Sequence, residues 1–254
     1  MNATSVSTAS LFMASSLVLV TLFISYWQRL HLEKGILTGA VRAVVQLSVI
    51  GYILVSVFNL NSPAFTTFLL FFMIFNAAYN AAKRGRCIRH GIFISFLSIG
   101  GGTAATLSVL IVSGTIEYTP YQIIPVSGMI IGNAMVALGL CYRQMTSNFQ
   151  RRRDEVETKL ALGADIGLSS REIIRDSIKT GMVPTIDSAK TLGIVSLPGM
   201  MTGLILAGVS PIEAVKYQII VTFMLLSATS LSSVSACYLS YKSFFNARKQ
   251  LVRY

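Results

Sequence analysis

The chain has 254 residues, of which 53% are hydrophobic and only 12% charged, with a mean hydropathy of +0.66 and a formal net charge of +11. A water-soluble domain of this length carries about a quarter charged residues, so the composition excludes an ordinary soluble enzyme or binding module. The three cysteines, Cys87, Cys141 and Cys237, fall singly and far apart, which supports neither a disulfide framework nor a zinc site.

Segments poor in charge recur along the chain, each close to the ~20 apolar residues that a helix needs to cross a bilayer. The first, Ser10 to Trp27, is led by no Lys or Arg and ends at Tyr26 and Trp27 rather than at a small-residue cleavage site. It reads as a retained span with aromatic interface residues and not as a signal peptide. The second, Ile36 to Phe58, holds one charge, Arg42, with Gln46 a turn deeper on the same face. The third, Pro63 to Ala82, carries Asn76 and Asn80 one turn apart, and the fourth, Gly91 to Val112, is uncharged. The fifth, Tyr121 to Tyr142, has Asn133 near its middle and a GxxxG pair, Gly128 and Gly132. The sixth, Thr191 to Val209, repeats GxxxG at Gly199 and Gly203, with Pro198 just before and Met200 and Met201 beside it. Tyr217 to Tyr241 is the seventh. No run alternates apolar and polar residues as a small closed barrel would. The predicted fold class is therefore an all-α membrane protein with about seven transmembrane helices.

Numbering the connections alternately puts 20 of the 21 Lys and Arg residues on or near one side, leaving Lys216 for the other. The positive-inside rule then predicts an external amino terminus and a cytoplasmic carboxyl terminus. Charge sorted in this way is explained by topology and anionic lipid, so it gives no reason to expect a nucleic-acid partner. The basic loops also hold His31 and His90, which read as solvated residues.

The connections predicted to be external are short, whereas residues 143–190 form 48 residues of amphipathic cytoplasmic sequence between spans five and six. That is too long for a bare link between packed helices. The pattern is helix, glycine break, helix: Val156 and Leu160 share a face, Gly163 and Gly167 interrupt, and Ser169 with Glu172 forms a capping-box pattern. The apolar face of the first helix calls for a covering surface, supplied by a partner or by the chain's own helix ends. A DNA-reading helix-turn-helix is disfavoured, because both ends are tethered by spans and a glycine-broken turn is common to helical hairpins. PTIDSAKT, residues 184–191, lacks the glycines of a phosphate loop. It reads instead as the entry to the sixth span, with Asp187 or Ser188 as N-cap.

Polar residues within spans are the default candidates for a translocation path. They are Arg42, Gln46, Asn76, Asn80, Asn133, Pro198, Met200 and Met201. The three asparagines and the kink at Pro198 are expected to face the bundle interior. Snorkelling explains Arg42 equally well, helix-to-helix hydrogen bonding explains the amides, and close packing explains the glycine pairs. No Asp, Glu, His or Cys cluster falls within a predicted span, so spacing supplies no metal site and no catalytic group.

Several blocks carry a family resemblance. Glu157, Leu160, Gly163, Ala164 and Ile174 follow an acidic-residue-then-glycine pattern that resembles the coupling loop of ATP-binding-cassette permeases. FNAAYNAAKR (75–84), IPVSGMIIGNAMVALGLCY (124–142), RDSIKTGMVPTIDSAKTLGIVSLPGMMTGLI (175–205) and KYQIIVTFMLL (216–226) together resemble the bacterial iron-export permease family, which includes plant proteins linked to aluminium tolerance. The resemblance spans nearly the whole chain. It implies a single permease domain, residues 1–254, in the inner membrane of a bacterium. It further implies a homodimer, a separate cytoplasmic ATPase that uses the ATP, no cofactor in this chain and outward transport of iron. A passive channel, or a carrier or assembly protein without an ATPase, is the alternative.

Overall fold

The computed structural model describes residues 8–60, 62–85, 87–246 and 248–252, and among them it contains helices and no strand. The helices are α1 (Thr8–Trp27), α2 (Glu33–Leu60), α3 (Pro63–Ala82), α4 (Gly91–Val112), α5 (Pro120–Arg151), α6 (Arg153–Ala161), α7 (Ile166–Thr191), α8 (Gly199–Leu206) and α9 (Pro211–Ser240). Proline stands in the first turn of α3, α5 and α9, where its missing N–H costs nothing and its fixed φ suits the helix. At α9 the Ser210 hydroxyl also accepts the Glu213 N–H, 3.3 Å away, and Glu213 places a negative charge at the positive end of the helix dipole.

The described residues divide into two compact units, one before residue 62 and one from Ser62 onward. In the first, α1 and α2 pack together across a short turn, in which the Ser25 hydroxyl donates to Glu33 at 2.8 Å and accepts the Leu32 N–H.

The second unit is built around α9, which packs on α4, α5, α7 and α8, while α3 packs on α4 and α5. Lipid offers no hydrophobic incentive for helices to associate, so contact depends on small residues that allow backbones to approach. Gly102 of α4 lies against Ala228 and Ser232 of α9, where an added Cβ would fall 2.3 Å from the Ser232 hydroxyl. Gly181 of α7 lies against Ala137 and Cys141 of α5, and a Cβ there would sit 2.9 Å from the Ala137 carbonyl. Buried serines and threonines fill the same interfaces, among them Ser95, which shares a 3.0 Å hydrogen bond with the Tyr142 hydroxyl.

Among the described residues, five helices are long and apolar enough to cross a membrane: Glu33–Val55, Pro63–Ala82, Gly91–Val112, Pro120–Arg151 and Pro211–Phe244. The last three and α3 match predicted spans. The sixth predicted span does not form one helix. Its residues are a non-helical connection followed by α8, only eight residues and ~12 Å long. Residues 143–190 are largely helical. Their first part continues α5 without a break, and their last part is α7, which packs along α5 and α9.

The helix ends show how the chain gets across. Gly167, at the start of α7, approaches Tyr241 beyond the end of α9, whereas Gly181 reaches Ser233, two turns further along α9. The two helices are therefore antiparallel, and the chain must travel from the Tyr241 end to the Pro211 end between α7 and α9. It does so through the second half of α7, the connection and α8. The path runs as helix, irregular connection and short helix.

Candidate functional site

The polar residues singled out by the sequence fall into two groups. The first lies at the basic end of the second unit. Arg152 interrupts the helix between α5 and α6, and its guanidinium pairs with Glu155 at 2.7 Å, with Glu172, and with Asp176 at 3.4 Å. Lys159 adds a 2.6 Å contact to Glu155, and Arg153 pairs with Glu157 at 2.6 Å. Hydrogen bonds from Arg152, then from Lys159, hold the Glu155 carboxyl at about 2, well below its usual range. The same contacts raise Arg152 above the ordinary guanidinium value. The network clamps α6 onto the first turns of α7.

From α6 the chain turns through Gly163, whose φ of +88° lies in the left-handed region that glycine adopts freely. Asp165 then opens α7. The first N–H groups of that helix, Ile166 and Gly167, lower its carboxyl pKa, and Lys249 of the tail, 3.5 Å away, adds to the effect. A groove between this turn and the tail is bordered by Glu157, Leu160, Gly163 and Ala164 on one side and by Arg248 and Lys249 on the other.

Four of the five predicted coupling residues thus come together. Ile174 does not join them, since it is buried where α7 packs into the bundle. The reason for expecting a partner also changes. Val156 is 1% exposed and Leu160 half-buried, so the chain covers the apolar face of α6 itself. The large apolar side chains left open are Leu162 and Leu168, 83% and 60% exposed, on either side of the turn.

The second group is the set of residues in the predicted spans. Asn76 and Asn133 are exposed on the second unit and Asn80 is half-buried, so these amides do not point into its core as expected. Each amide instead turns along its own helix, Asn80 donating to the Asn76 carbonyl and side chain at 2.8 and 2.7 Å, and Asn133 to the Met129 carbonyl at 2.8 Å. Arg42 and Gln46 lie exposed on α2, in the first unit. Pro198 is not a kink within a helix. It is the extended residue that opens α8, with Met200 and Met201 half-buried just after it. The prolines inside helices are Pro125 and Pro184. The predicted GxxxG pairs are largely open: an added Cβ meets nothing within 4 Å at Gly132, Gly199 or Gly203.

Asp187 and Ser188 are likewise not an N-cap. They lie inside α7 near its carboxyl end, and Asp187 pairs with Lys190 at 3.3 Å. Among the described residues, no group of three or more His, Cys, Asp or Glu side chains is arranged to hold a metal ion.

A family model described as "Uncharacterised protein family (UPF0014)" matches residues 8–245. The chain belongs to this family. Of its UPF0014 relatives, the "Probable iron export permease protein FetB" of Escherichia coli (strain K12) is 49% identical, over 99% of this chain and 97% of the relative. The "UPF0014 membrane protein STAR2" of Oryza sativa subsp. japonica is 40% identical over 94% of this chain and 84% of its own. "Protein ALUMINUM SENSITIVE 3" of Arabidopsis thaliana is 37% identical over 92% and 86%. No solved structure matches the chain.

The resemblance seen in the sequence blocks is thus a UPF0014 relationship running almost end to end. What the sequence reading missed in this UPF0014 chain is the position of residues 182–191. They continue α7 as one helix, and the signal for that was Gly181, a small residue at helical spacing from the buried Ser170, Ile174 and Ser177.

Proposed function

We propose that the chain is the membrane permease of an ATP-binding-cassette exporter that moves iron or a related metal ion out of a bacterial cell. Two copies work with a separate cytoplasmic ATPase, and the chain performs no covalent chemistry itself. The observation that carries this reading is the match to a relative named as a probable iron export permease, at 49% identity over 97% of that relative. A bundle of apolar helices, one of its crossings discontinuous, suits a transporter, since irregular backbone at membrane depth is tolerated where it lines a cavity. The topology proposed is seven crossings, with the amino terminus outside and the tail after Lys242 in the cytoplasm. It is supported by the one-sided distribution of Lys and Arg.

In this reading the ATPase docks on the turn between α6 and α7. Leu162 and Leu168 supply exposed apolar anchors there, and Glu157 and Gly163 shape the rim. The path candidates Arg42, Gln46, Asn76, Asn80, Asn133, Pro198, Met200 and Met201 are assigned to surfaces that a second copy completes. The test is co-purification with a candidate ATPase subunit from the same organism, followed by reconstitution in vesicles. ATP-dependent movement of iron, with ATP hydrolysis stimulated by the metal, is the expected result. Movement that is independent of ATP would make the chain a passive channel and overturn the proposal. Leu162→Glu is expected to weaken ATPase association at least tenfold while leaving the membrane level of the permease unchanged.

A further inference from the structure

The chain doubles back between α3 and α4 through residues 83–90, a turn that carries Lys83, Arg84, Arg86, Arg89 and His90 and no acidic residue. The Ser243 hydroxyl donates to the Arg89 carbonyl at 3.4 Å, which holds the turn beside the foot of α9, at the basic end of the second unit. Among the described residues, no carboxylate comes within ion-pair distance of Lys83, Arg84 or Arg89. Lys83 rests instead over the Tyr79 ring, 4.3 Å from its centroid.

Just inside this turn, α3 and α4 border a cleft of about 770 Å³. Lys83 and His90 stand at its basic end, and Phe75, Tyr79, Phe93 and Phe96 form its walls. Phe96, stacked on Phe71 with centroids 6.4 Å apart, also borders a second hollow of about 300 Å³, deeper between the same helices. Gly100 and Gly101 leave that hollow open, since a Cβ at Gly101 would meet nothing within 4 Å. From Lys83 back to Thr67 the two spaces follow α3 for ~24 Å, whereas half of the hydrocarbon core is ~15 Å.

The start of α4 adds free donors to the basic end. His90 has a left-handed φ of +57° and provides no side-chain cap, so the N–H groups of Ile92 and Phe93 have no partner among the described residues. Such groups, at the positive end of the helix dipole, attract an anion. A second copy or another helix would cover the aromatic walls but leave the cations and N–H groups without an acceptor. An anionic phospholipid satisfies both parts, since basic pockets between helices on the cytoplasmic side take acidic head groups.

We propose that the cleft between α3 and α4 binds one anionic phospholipid. Its phosphate is held by Lys83 and the first N–H groups of α4, and an acyl chain lies along the aromatic walls toward Gly101. The site is separate from the docking turn between α6 and α7 and does not depend on which ion the chain moves.

Purified permease in detergent is stripped of lipid and titrated with phosphatidylglycerol or with phosphatidylcholine of the same acyl chains, and bound lipid is counted by native mass spectrometry. The wild type is expected to take up one phosphatidylglycerol per chain and to prefer it by about tenfold. Lys83→Gln should weaken that lipid about fivefold and leave phosphatidylcholine unchanged, because one charge has been removed and no wall altered. Gly101→Phe fills the deep hollow and should weaken both lipids alike. Unfolding temperatures without lipid should match the wild type, and Lys83→Gln, at an exposed turn, decides the matter even where Gly101→Phe unfolds. Equal binding of the two lipids by the wild type would make the contact ordinary annular lipid and overturn the proposal. Displacement of phosphatidylglycerol by inorganic phosphate would mark a free-anion site and overturn it as well. A Gly101→Phe variant that loses its dimer and keeps its lipid would seat a second copy in the cleft, with the same consequence.

Discussion

The two halves of α7 belong to one continuous helix and have opposite surroundings. From Ile166 to Gly181 it buries Ser169, Ser170, Ile173, Ile174, Ser177 and Gly181, and its start is tied to Arg152 through Glu172 and Asp176. From Met182 to Thr191 no residue is buried, and Pro184 lies in the first turn of that half. Proline deprives the Thr180 carbonyl of its helical partner and crowds it, which bends a helix away from its former line. The contrast teaches that in this bundle packing follows the small residues. Where glycine and serine face a neighbour the helix is held, and where threonine, aspartate and lysine replace them it stands clear.

The largest expected effect breaks the held half. Gly181→Leu would drive a side chain into the Ala137 carbonyl and the Cys141 sulfur, and overpacking of that kind costs ~3 kcal/mol or more when backbone is the obstacle. Membrane level and thermal unfolding in detergent should both fall sharply. Unchanged unfolding would mean that α7 does not rest on α5 as described.

A smaller effect is expected at the clamp. Arg152→Ala leaves Glu155, Glu172 and Asp176 without their shared cation. Because these carboxylates are more than a third exposed, the loss should be only ~1 kcal/mol and should shrink in high salt. The pH dependence has a definite sign. The Glu155 carboxyl is depressed from 4.5 to about 2, so its contribution is present at neutral pH and disappears as pH falls from about 4.5 through 2. Unfolding followed at pH 6 and pH 3 should therefore show a smaller acid loss in Arg152→Ala than in the wild type. Equal losses would place the acid sensitivity elsewhere.

The smallest effect has the opposite direction. Gly203 is helical and open, so Gly203→Ala should raise the thermal stability of the isolated permease by ~0.5 to 1 kcal/mol through the unfolded chain. A large destabilisation would show that α8 is in close contact with another surface even when purified.

Most of the apolar helices were readable from residues alone, because a long run without charge has few fates in a membrane chain. α3 and α4 have the bounds of their predicted spans, whereas α5 begins one residue before its predicted span and runs on to Arg151, nine residues beyond it. The course of α7 along α5 and α9 was not readable. Asp187 and Lys190 interrupt the hydropathy of α7, so the apolar signal begins only at Thr191 and assigns the crossing to α8 alone. The asparagines were misjudged for a related reason. The cost of a polar group in lipid predicts that it is sheltered, yet says nothing about whether the shelter is the helix's own backbone, as for Asn133, or the bundle core. Val156 shows the limit of pattern at short range, since α6 has only nine residues and its buried side is set by α5, α7 and the tail.

The tail folds back after α9. Phe149, in the overhang of α5, stacks on Phe244 with ring centroids 4.4 Å apart and meets Phe245 edge-on, while Arg153 of α6 donates to the Leu251 carbonyl at 3.4 Å. The base of α9 is thereby lashed to the short helix beside the proposed docking turn. α9 itself is an unbroken rod of ~45 Å that reaches the opposite end of the bundle. In mechanical terms, the tail ties α6 to the foot of α9, and α9 runs from there to the far end of the bundle as one continuous helix.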